Sequence, residues 1–105
     1  MNNLNGNEKK FLRGLAHSLK PCVTIGQNGL TKSVLNACEQ ALNTHELIKM
    51  QFIDFKKKAT KEEISNKIME GLNCELVGMI GHKVIFFRQN KNPKKQKIKI
   101  PAGKK

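Results

Sequence analysis

The chain has 105 residues, 38% of them hydrophobic, which suffices for one domain with its own core but not for two. It carries 20 Lys and Arg against 8 acidic residues, a formal net charge of +12. No apolar run approaches the ~20 residues needed to span a bilayer. Three cysteines with no C-x-x-C pair and no signal peptide are typical of reduced thiols in a cytoplasmic protein.

The charge is concentrated in both flanks of the sequence. Residues 21–55 contain two basic and three acidic residues, whereas 1–20 contain four and one. Residues 56–88 contain seven and four, and 89–105 contain seven and none. A near-neutral centre between basic flanks predicts a polyanion held by the surrounding elements.

The first predicted element is a helix over residues 8–20, where apolar residues recur at helical spacing until Pro21 stops the run. Its apolar face consists of Phe11, Leu12, Leu15, Ala16 and Leu19. Its other face carries an i, i+3, i+4 basic stripe of Lys10, Arg13, His17 and Lys20. Most such stripes are only solvated. This one ends six residues before a glycine turn, so we expect it to contact an anion.

The glycine turn follows a predicted strand over residues 22–25 and is Gly26-Gln27-Asn28-Gly29. Thr31 is a good N-cap for a second helix with Val34, Leu35, Cys38, Ala41 and Leu42 inward. Such a turn brings backbone N–H groups to a helix N-terminus, where the macrodipole also favours a phosphate. A tight turn without a ligand would use the same glycines, so both interpretations stay open.

Period-2 patterning predicts a strand over residues 47–55, with Ile48, Met50 and Phe52 on one face and Lys49 and Gln51 on the other. A basic loop over residues 56–58 follows. A capping box from Thr60 to Glu63 predicts the start of a third helix, and Gly71 or Asn73 is expected to supply its C-terminal turn. The inward residues of this helix are Ile64, Ile68 and Leu72.

Two further strands, over residues 74–80 and 83–88, flank Gly81-His82, which suits a type II′ hairpin. A second Gly-x-x-Gly, from Gly78 to Gly81, lies within this strand patterning, so we interpret it as structural. Periodicity is lost over residues 89–97, and residues 97–100 are expected to be a short extended piece.

These elements predict a single α/β domain with the order α-β-α-β-α-β-β and a four-stranded mixed sheet backed by helices. Strands joined through helices should be parallel, and the last pair should be an antiparallel hairpin. We expect a flexible N-terminus over residues 1–7, the folded domain over 8–90 and a basic tail over 91–105.

Catalytic motifs are missing from the sequence. His45-Glu46 lacks the second histidine of H-E-x-x-H, because Lys49 stands in its place. There is no G-x-S-x-G elbow and no phosphate-binding G-x-x-x-x-G-K-[ST] loop. With eight acidic residues, a carboxylate pair or metal cage is not expected. We therefore predict a protein that is not an enzyme and needs no cofactor or metal.

Four stretches, in order along the chain, resemble the bacterial YhbY family of ribosome-associated RNA-binding proteins, which are built on the CRM domain. They are residues 15–21, residues 25–31, residues 45–49 and residues 81–88, and the likeness extends over about residues 8–100. The resemblance implies a fold similar to the C-terminal domain of the translation initiation factor that blocks subunit joining. It also implies a Gly-x-x-Gly loop used as in KH domains and a role in large ribosomal subunit assembly.

The expected mechanism is binding of ribosomal RNA by a cytoplasmic monomer, with no membrane contact. Gly26 and Gly29 would allow close approach of the sugar-phosphate chain, and cations would neutralise neighbouring phosphates. Without Trp or Tyr, a base-stacking platform is not expected. The predicted RNA-binding residues are Lys10, Arg13, His17, Lys20, Gly26, Gln27, Asn28, Gly29, Thr31 and Arg88. The alternative is a basic adaptor for an acidic protein, which would need an exposed apolar anchor.

Overall fold

A mixed four-stranded sheet lies between one helix and a pair of helices. The computed structural model describes residues 4, 6–26, 29–53, 58–90, 92, 94, 96 and 98. Its elements are α1 (Gly6–Ala16), β1 (Val23–Ile25), α2 (Lys32–His45), β2 (Leu47–Phe52), α3 (Lys58–Leu72), β3 (Glu75–Ile80) and β4 (Lys83–Phe87). The predicted element order and the α/β class are confirmed.

The strand order across the sheet is β1-β2-β4-β3. β1 is parallel to β2, with Val23 opposite Met50 and Ile25 opposite Phe52. β4 lies between β2 and β3 and is antiparallel to both. β2 and β3 therefore run in the same direction without being neighbours, and the predicted mixed sheet with a final antiparallel hairpin is confirmed.

This register gives the sheet two distinct ends. Gln51 of β2 pairs with Lys83 of β4, next to the turn that joins β3 to β4. β1 ends on the same side, because the Ile53 N–H bonds to the Ile25 carbonyl at 2.9 Å. We call this side the glycine-turn end. At the other side Leu47 pairs with Phe87, just before Arg88, and we call it the Arg88 end.

Each face of the sheet carries its own apolar cluster. The larger cluster packs under α2 and α3, and it includes the predicted inward residues Ile48, Met50 and Phe52 of β2 together with Cys38, Leu42, Ile64 and Ile68. The smaller one packs under α1 and contains Leu12, Ala16, Leu47, Val77, Ile85 and Phe87. The alternation predicted for β2 is therefore confirmed, because Ile48, Met50 and Phe52 enter the larger cluster and Leu47 enters the smaller one on the opposite face.

The first helix is shorter at its C-terminal end than predicted, since α1 ends at Ala16 and not at Lys20. Past Ala16 the backbone tightens into a turn in which the Leu19 N–H bonds to the Ala16 carbonyl at 2.9 Å. Leu15 and Leu19 are 40% and 37% exposed, so they do not belong to the core. Pro21 sets only the latest point at which the helix could end.

The third helix begins earlier than predicted. α3 starts at Lys58, so Thr60 lies within the helix and is not its N-cap. Lys58 therefore belongs to α3, and the rest of the predicted basic loop lies outside the described residues. The C-terminal turn is formed by Asn73, whose φ is +54°, and the Cys74 N–H returns to the Met69 carbonyl at 3.1 Å. This is the hydrogen bond of a Schellman motif.

Glu46 holds the segment after β4 against the domain. It is 1% exposed and has a φ of +66°, a conformation unusual for glutamate. Its carboxylate accepts the N–H groups of Asn90 at 2.6 Å and Ile98 at 2.8 Å. Ile98 in turn packs against the smaller cluster. Asn90, in the stretch where the loss of periodicity predicts irregular structure, and Ile98 are thus bound to the fold. Of the short extended piece predicted over residues 97–100, the structure describes only Ile98, so that prediction stays untested. Residues 99–105 lie outside the described part, and the domain boundaries stay predictions.

Replacing Glu46 by Gln should loosen this segment. A glutamine offers one acceptor oxygen where the carboxylate offers two, so one buried N–H group loses its partner, at a cost of about 1–3 kcal/mol. We expect a lower melting temperature and faster hydrogen exchange at the Asn90 and Ile98 amides. The control is Glu63→Gln, which removes the same charge from an exposed site on α3. Unchanged exchange at both amides would contradict this role for Glu46.

Candidate nucleic-acid interface

The glycine turn between β1 and α2 is closed by a hydrogen bond of 3.0 Å from the Gly29 N–H to the Gly26 carbonyl. Gly29 has a φ of +72°, which an L side chain rarely adopts, so the backbone itself requires glycine there. A Cβ at Gly26 would meet Ile53 Cδ1 at 3.8 Å, an ordinary contact. The predicted site residues Gln27 and Asn28 lie outside the described residues.

Thr31 is the N-cap of α2, as its sequence context predicts. Its Oγ1 accepts the Val34 N–H at 3.2 Å, and its own conformation is extended. The hydroxyl therefore satisfies one of the N–H groups that the first turn of a helix leaves without an intrahelical partner. Lys32 follows at the surface and places a cation beside the turn.

The basic stripe predicted for the first helix is interrupted by the early end of α1. Lys10 and Arg13 are exposed on the helix, and His17 lies just past its end, where its N–H bonds to the Arg13 carbonyl at 3.1 Å. Lys20 is exposed in the link before β1. Gly26 follows β1, so Lys20 and the glycine turn lie at opposite ends of that strand.

Arg13 lies across β3, and a glycine makes room for it. Its Nη1 donates to the Val77 carbonyl at 3.3 Å. A Cβ at Gly78 would come within 2.9 Å of Arg13 Cδ, so the arginine stem occupies the space that a side chain would fill. The register of β3 against β4 shifts between Leu76 and Gly78, as at a β-bulge. The structural interpretation of the second Gly-x-x-Gly agrees with this contact.

Arg88 is not brought together with the glycine turn. Its guanidinium donates to Glu39 at 2.8 Å, to the Leu72 carbonyl at 2.7 Å and to Asn43 at 2.9 Å. These bonds tie β4 to α2 and α3 at the Arg88 end, about 16 Å along the strand from Lys83. The expectation of a shared site is corrected: Arg88 lies at the far end of the sheet, and three of its five N–H donors are held by internal bonds.

Three lysines in or beside the sheet are missing from the predicted site. Lys83 is exposed at the start of β4, and Lys49 is half-buried in β2. Lys61 of α3 is buried, and its Nζ lies 3.1 Å from the Gly81 carbonyl and 3.3 Å from His82 Nδ1, so it holds the hairpin turn against the helix. The alternation of β2 does predict the face of Lys49, but only the register of the whole sheet reveals its neighbours.

The two buried thiols are poor nucleophiles. Burial raises the pKa of Cys38 to about 11 and that of Cys74 to about 12, so both remain protonated near neutral pH. Within the described residues, no three His, Cys, Asp or Glu side chains are grouped so that they could hold a metal ion. No helix in that part of the chain combines the length and apolar character needed to cross a membrane.

Residues 4–88 match the model of the CRS1 / YhbY (CRM) domain, and the chain belongs to this family. An RNA-binding protein of Haemophilus influenzae is 42% identical over 96 residues, covering 91% of this chain and 96% of that protein. The protein named "Probable RNA-binding protein YqeI" in Bacillus subtilis is 29% identical, with 93% and 99% covered. These relatives are named for RNA binding and not for an enzymatic reaction.

The fold also matches a solved structure. The solution structure of a hypothetical protein from Staphylococcus aureus, described as a candidate RNA-binding protein, aligns with a TM-score of 0.76 and 29% identity. The alignment covers 91% of this chain and 99% of that one. The predicted family and fold are therefore confirmed.

Replacing Arg88 by Met should destabilise the protein in a pH-dependent manner. Arg88 lowers the pKa of Glu39, mainly through their hydrogen bond. The ion pair therefore stabilises the fold above the ordinary glutamate pKa of about 4.3 and ceases to do so as pH falls through the lower folded pKa. We expect the variant's melting temperature to lie furthest below wild type near pH 7.

The gap between the two melting temperatures should narrow below pH ~4 without closing, because the bonds to Leu72 and Asn43 do not depend on Glu39. Lys67→Met is the matched control, since it removes the same charge from an exposed position on α3. A gap that is constant with pH would show that the Glu39 carboxylate contributes nothing.

Proposed function

We propose that this chain is a cytoplasmic RNA-binding protein that binds ribosomal RNA or precursors of the large ribosomal subunit without chemical catalysis. The observation that carries the proposal is the glycine turn at the N-terminus of α2, with exposed lysines beside it. The relatives named for RNA binding support the same ligand class. The ribosomal target comes from the resemblance of the motifs to the YhbY family.

The turn suits a sugar-phosphate chain for two separate reasons, which are the absence of a side chain at Gly26 and the N-terminus of α2. Gly29 needs its left-handed conformation to bring the backbone into α2. The backbone conformation of Gly26 does not require glycine, and a Cβ there would make only an ordinary contact among the described residues. The fold therefore does not explain why this position is a glycine. Close approach of a ligand backbone does explain it, as in the GXXG loop of KH domains. The helix N-terminus adds N–H donors and a favourable dipole.

Recognition through aromatic stacking has little support. The described phenylalanines Phe52, Phe86 and Phe87 are buried, and Phe11 packs against the smaller cluster. The chain has no Trp or Tyr. Phosphate contacts and the shape of a structured RNA are therefore expected to supply much of the affinity. A ribosomal subunit precursor offers such a surface, and we propose that a monomer binds it.

The glycine turn can be tested by the double substitution Gln27→Asp with Asn28→Asp. Added carboxylates should repel phosphate, while the dipole of α2 tolerates them, so RNA affinity should fall at least tenfold with little change in melting temperature. The measurement is titration of labelled ribosomal RNA fragments. A control with the same change of charge is Asn36→Asp with Gln40→Glu, at exposed positions further along α2.

If the two double variants lose the same modest amount of affinity, only net charge matters and the turn is not the site. A folded Gln27→Asp, Asn28→Asp variant with intact affinity would contradict the turn directly.

The ribosomal target can be tested by sedimentation of cell lysate. At low salt we expect the protein to move with large-subunit particles or their precursors. It should leave them as salt rises, because each phosphate contact contributes about 0.7 to 0.9 to the log-log salt slope. Charge reversal of Lys10 and Lys20, both exposed, should weaken the association without unfolding α1. Protein found only at the top of the gradient, or only with small subunits, would contradict the large-subunit assignment.

A further inference from the structure

One row of side chains crosses all four strands at the glycine-turn end. Thr24 of β1 pairs with Gln51 of β2, Gln51 pairs with Lys83 of β4, and Lys83 pairs with Ile80 of β3. Because directly paired residues point to the same side, all four lie on the α1 face of the sheet. We call these four residues the exposed row. With strands about 4.8 Å apart, the row is about 14 Å wide.

α1 covers the neighbouring row and leaves this one open. In the neighbouring row, Ile85 is buried in the smaller cluster and Gly78 is covered by the stem of Arg13. In the exposed row, Thr24 and Lys83 are exposed, Gln51 is half-buried and Ile80 is 65% exposed. Among the described residues, no helix covers these four positions, so they remain accessible to a ligand.

The exposed row adjoins the glycine turn. Thr24 lies two residues before Gly26. Ile53, which is 47% exposed, follows β2 next to Ile25 and would touch a Cβ at Gly26. A chain of nucleotides whose backbone is held at the turn could therefore continue directly over the row.

The chemistry of the row favours nucleic-acid bases over a protein partner. Gln51 Nε2 donates to Thr24 Oγ1 at 3.3 Å, which orients the amide and leaves its carbonyl oxygen without a hydrogen bond among the described residues. Amide and hydroxyl groups of this kind can read the edges of unstacked bases. Lys83 supplies a cation, and Lys49 and Arg13 lie one row behind. No carboxylate lies in the row, so its charge complements a polyanion.

We propose that the exposed row binds the bases of single-stranded RNA that leaves the glycine turn, and that Gln51, oriented by Thr24, sets a base preference. The proposal rests on the proposed RNA-binding function and adds a sequence-reading surface to it. Lys83 binds a phosphate of the same strand, and Ile80 packs against a base or sugar at the edge of the sheet. An acidic protein segment is the competing occupant, and titration with poly-glutamate distinguishes it from RNA.

The first test maps binding by NMR, which suits a protein of 11.8 kDa. Eight-nucleotide strands of A, C or U are titrated into labelled protein, and a poly-glutamate peptide serves as the protein-like polyanion. We expect the Gln51 side-chain amide and the Ile80 methyl groups to shift together with the Gly26 and Gly29 amides. The Asn43 side-chain amide at the Arg88 end should stay in place. Shifts should differ between A, C and U.

The second test measures preference. The affinity ratio between the best and the poorest strand should be at least about fivefold, as one amide–base pair provides, and should fall below twofold in Gln51→Leu. Gln40→Leu, on an exposed face of α2, should keep the wild-type ratio. Thr24→Val should reduce the ratio, because the amide loses its orienting hydroxyl. Lys83→Gln should weaken all strands equally and more than Lys67→Gln.

Shifts at the glycine turn without shifts in the exposed row, or an unchanged ratio in Gln51→Leu, would overturn the row and leave the proposed RNA binding intact. Equal shifts with poly-glutamate would make the row a general anion surface and overturn base reading. If none of the strands binds, base reading by the exposed row is overturned, and the proposed function is decided separately by the titration of ribosomal RNA fragments.

Discussion

β4 lies between β2 and β3, and this position gives the sheet its two dissimilar ends. Because β4 is antiparallel to both neighbours, its two ends have different surroundings. Its first residue, Lys83, lies beside the β3–β4 turn and near the glycine turn. The residue after its end, Arg88, meets the C-terminal ends of α2 and α3. One strand thus separates a candidate binding end from an end that stabilises the fold.

The two ends use their charged groups differently. At the Arg88 end, the side chains of Arg88 and Glu46 form internal hydrogen bonds. These bonds join β4, α2, α3 and the segment after β4. Bonds of this kind, in which one partner is ionised, are stronger than neutral ones. At the glycine-turn end, Lys32 and Lys83 remain exposed, and Lys61 alone of these lysines is buried against the hairpin. The net charge of +12 therefore does not reveal the role of any one basic side chain. The position of each side chain in the fold decides that role.

Local patterns predicted much of the fold. The alternation in β2, the Thr31 cap, the Gly81 turn with its φ of +59° and the stop at Asn73 depend on neighbours within a few residues. The role of Arg88 could not be predicted, because Glu39 is 49 residues away and forms its site only after folding. The bond from Glu46 to Ile98 spans 52 residues. The end of α1 at Ala16 was also missed, since periodicity continues where packing does not.

We propose that RNA meets this domain at the glycine-turn end of the sheet. Ultraviolet crosslinking of the intact protein to ribosomal RNA, followed by mass spectrometry of the crosslinked peptides, tests it most directly. We expect crosslinks in residues 24–32 and 80–83, which come from different strands but lie at one end of the sheet. Crosslinks confined to residues 39–46 and to Arg88, at the opposite end, would contradict it.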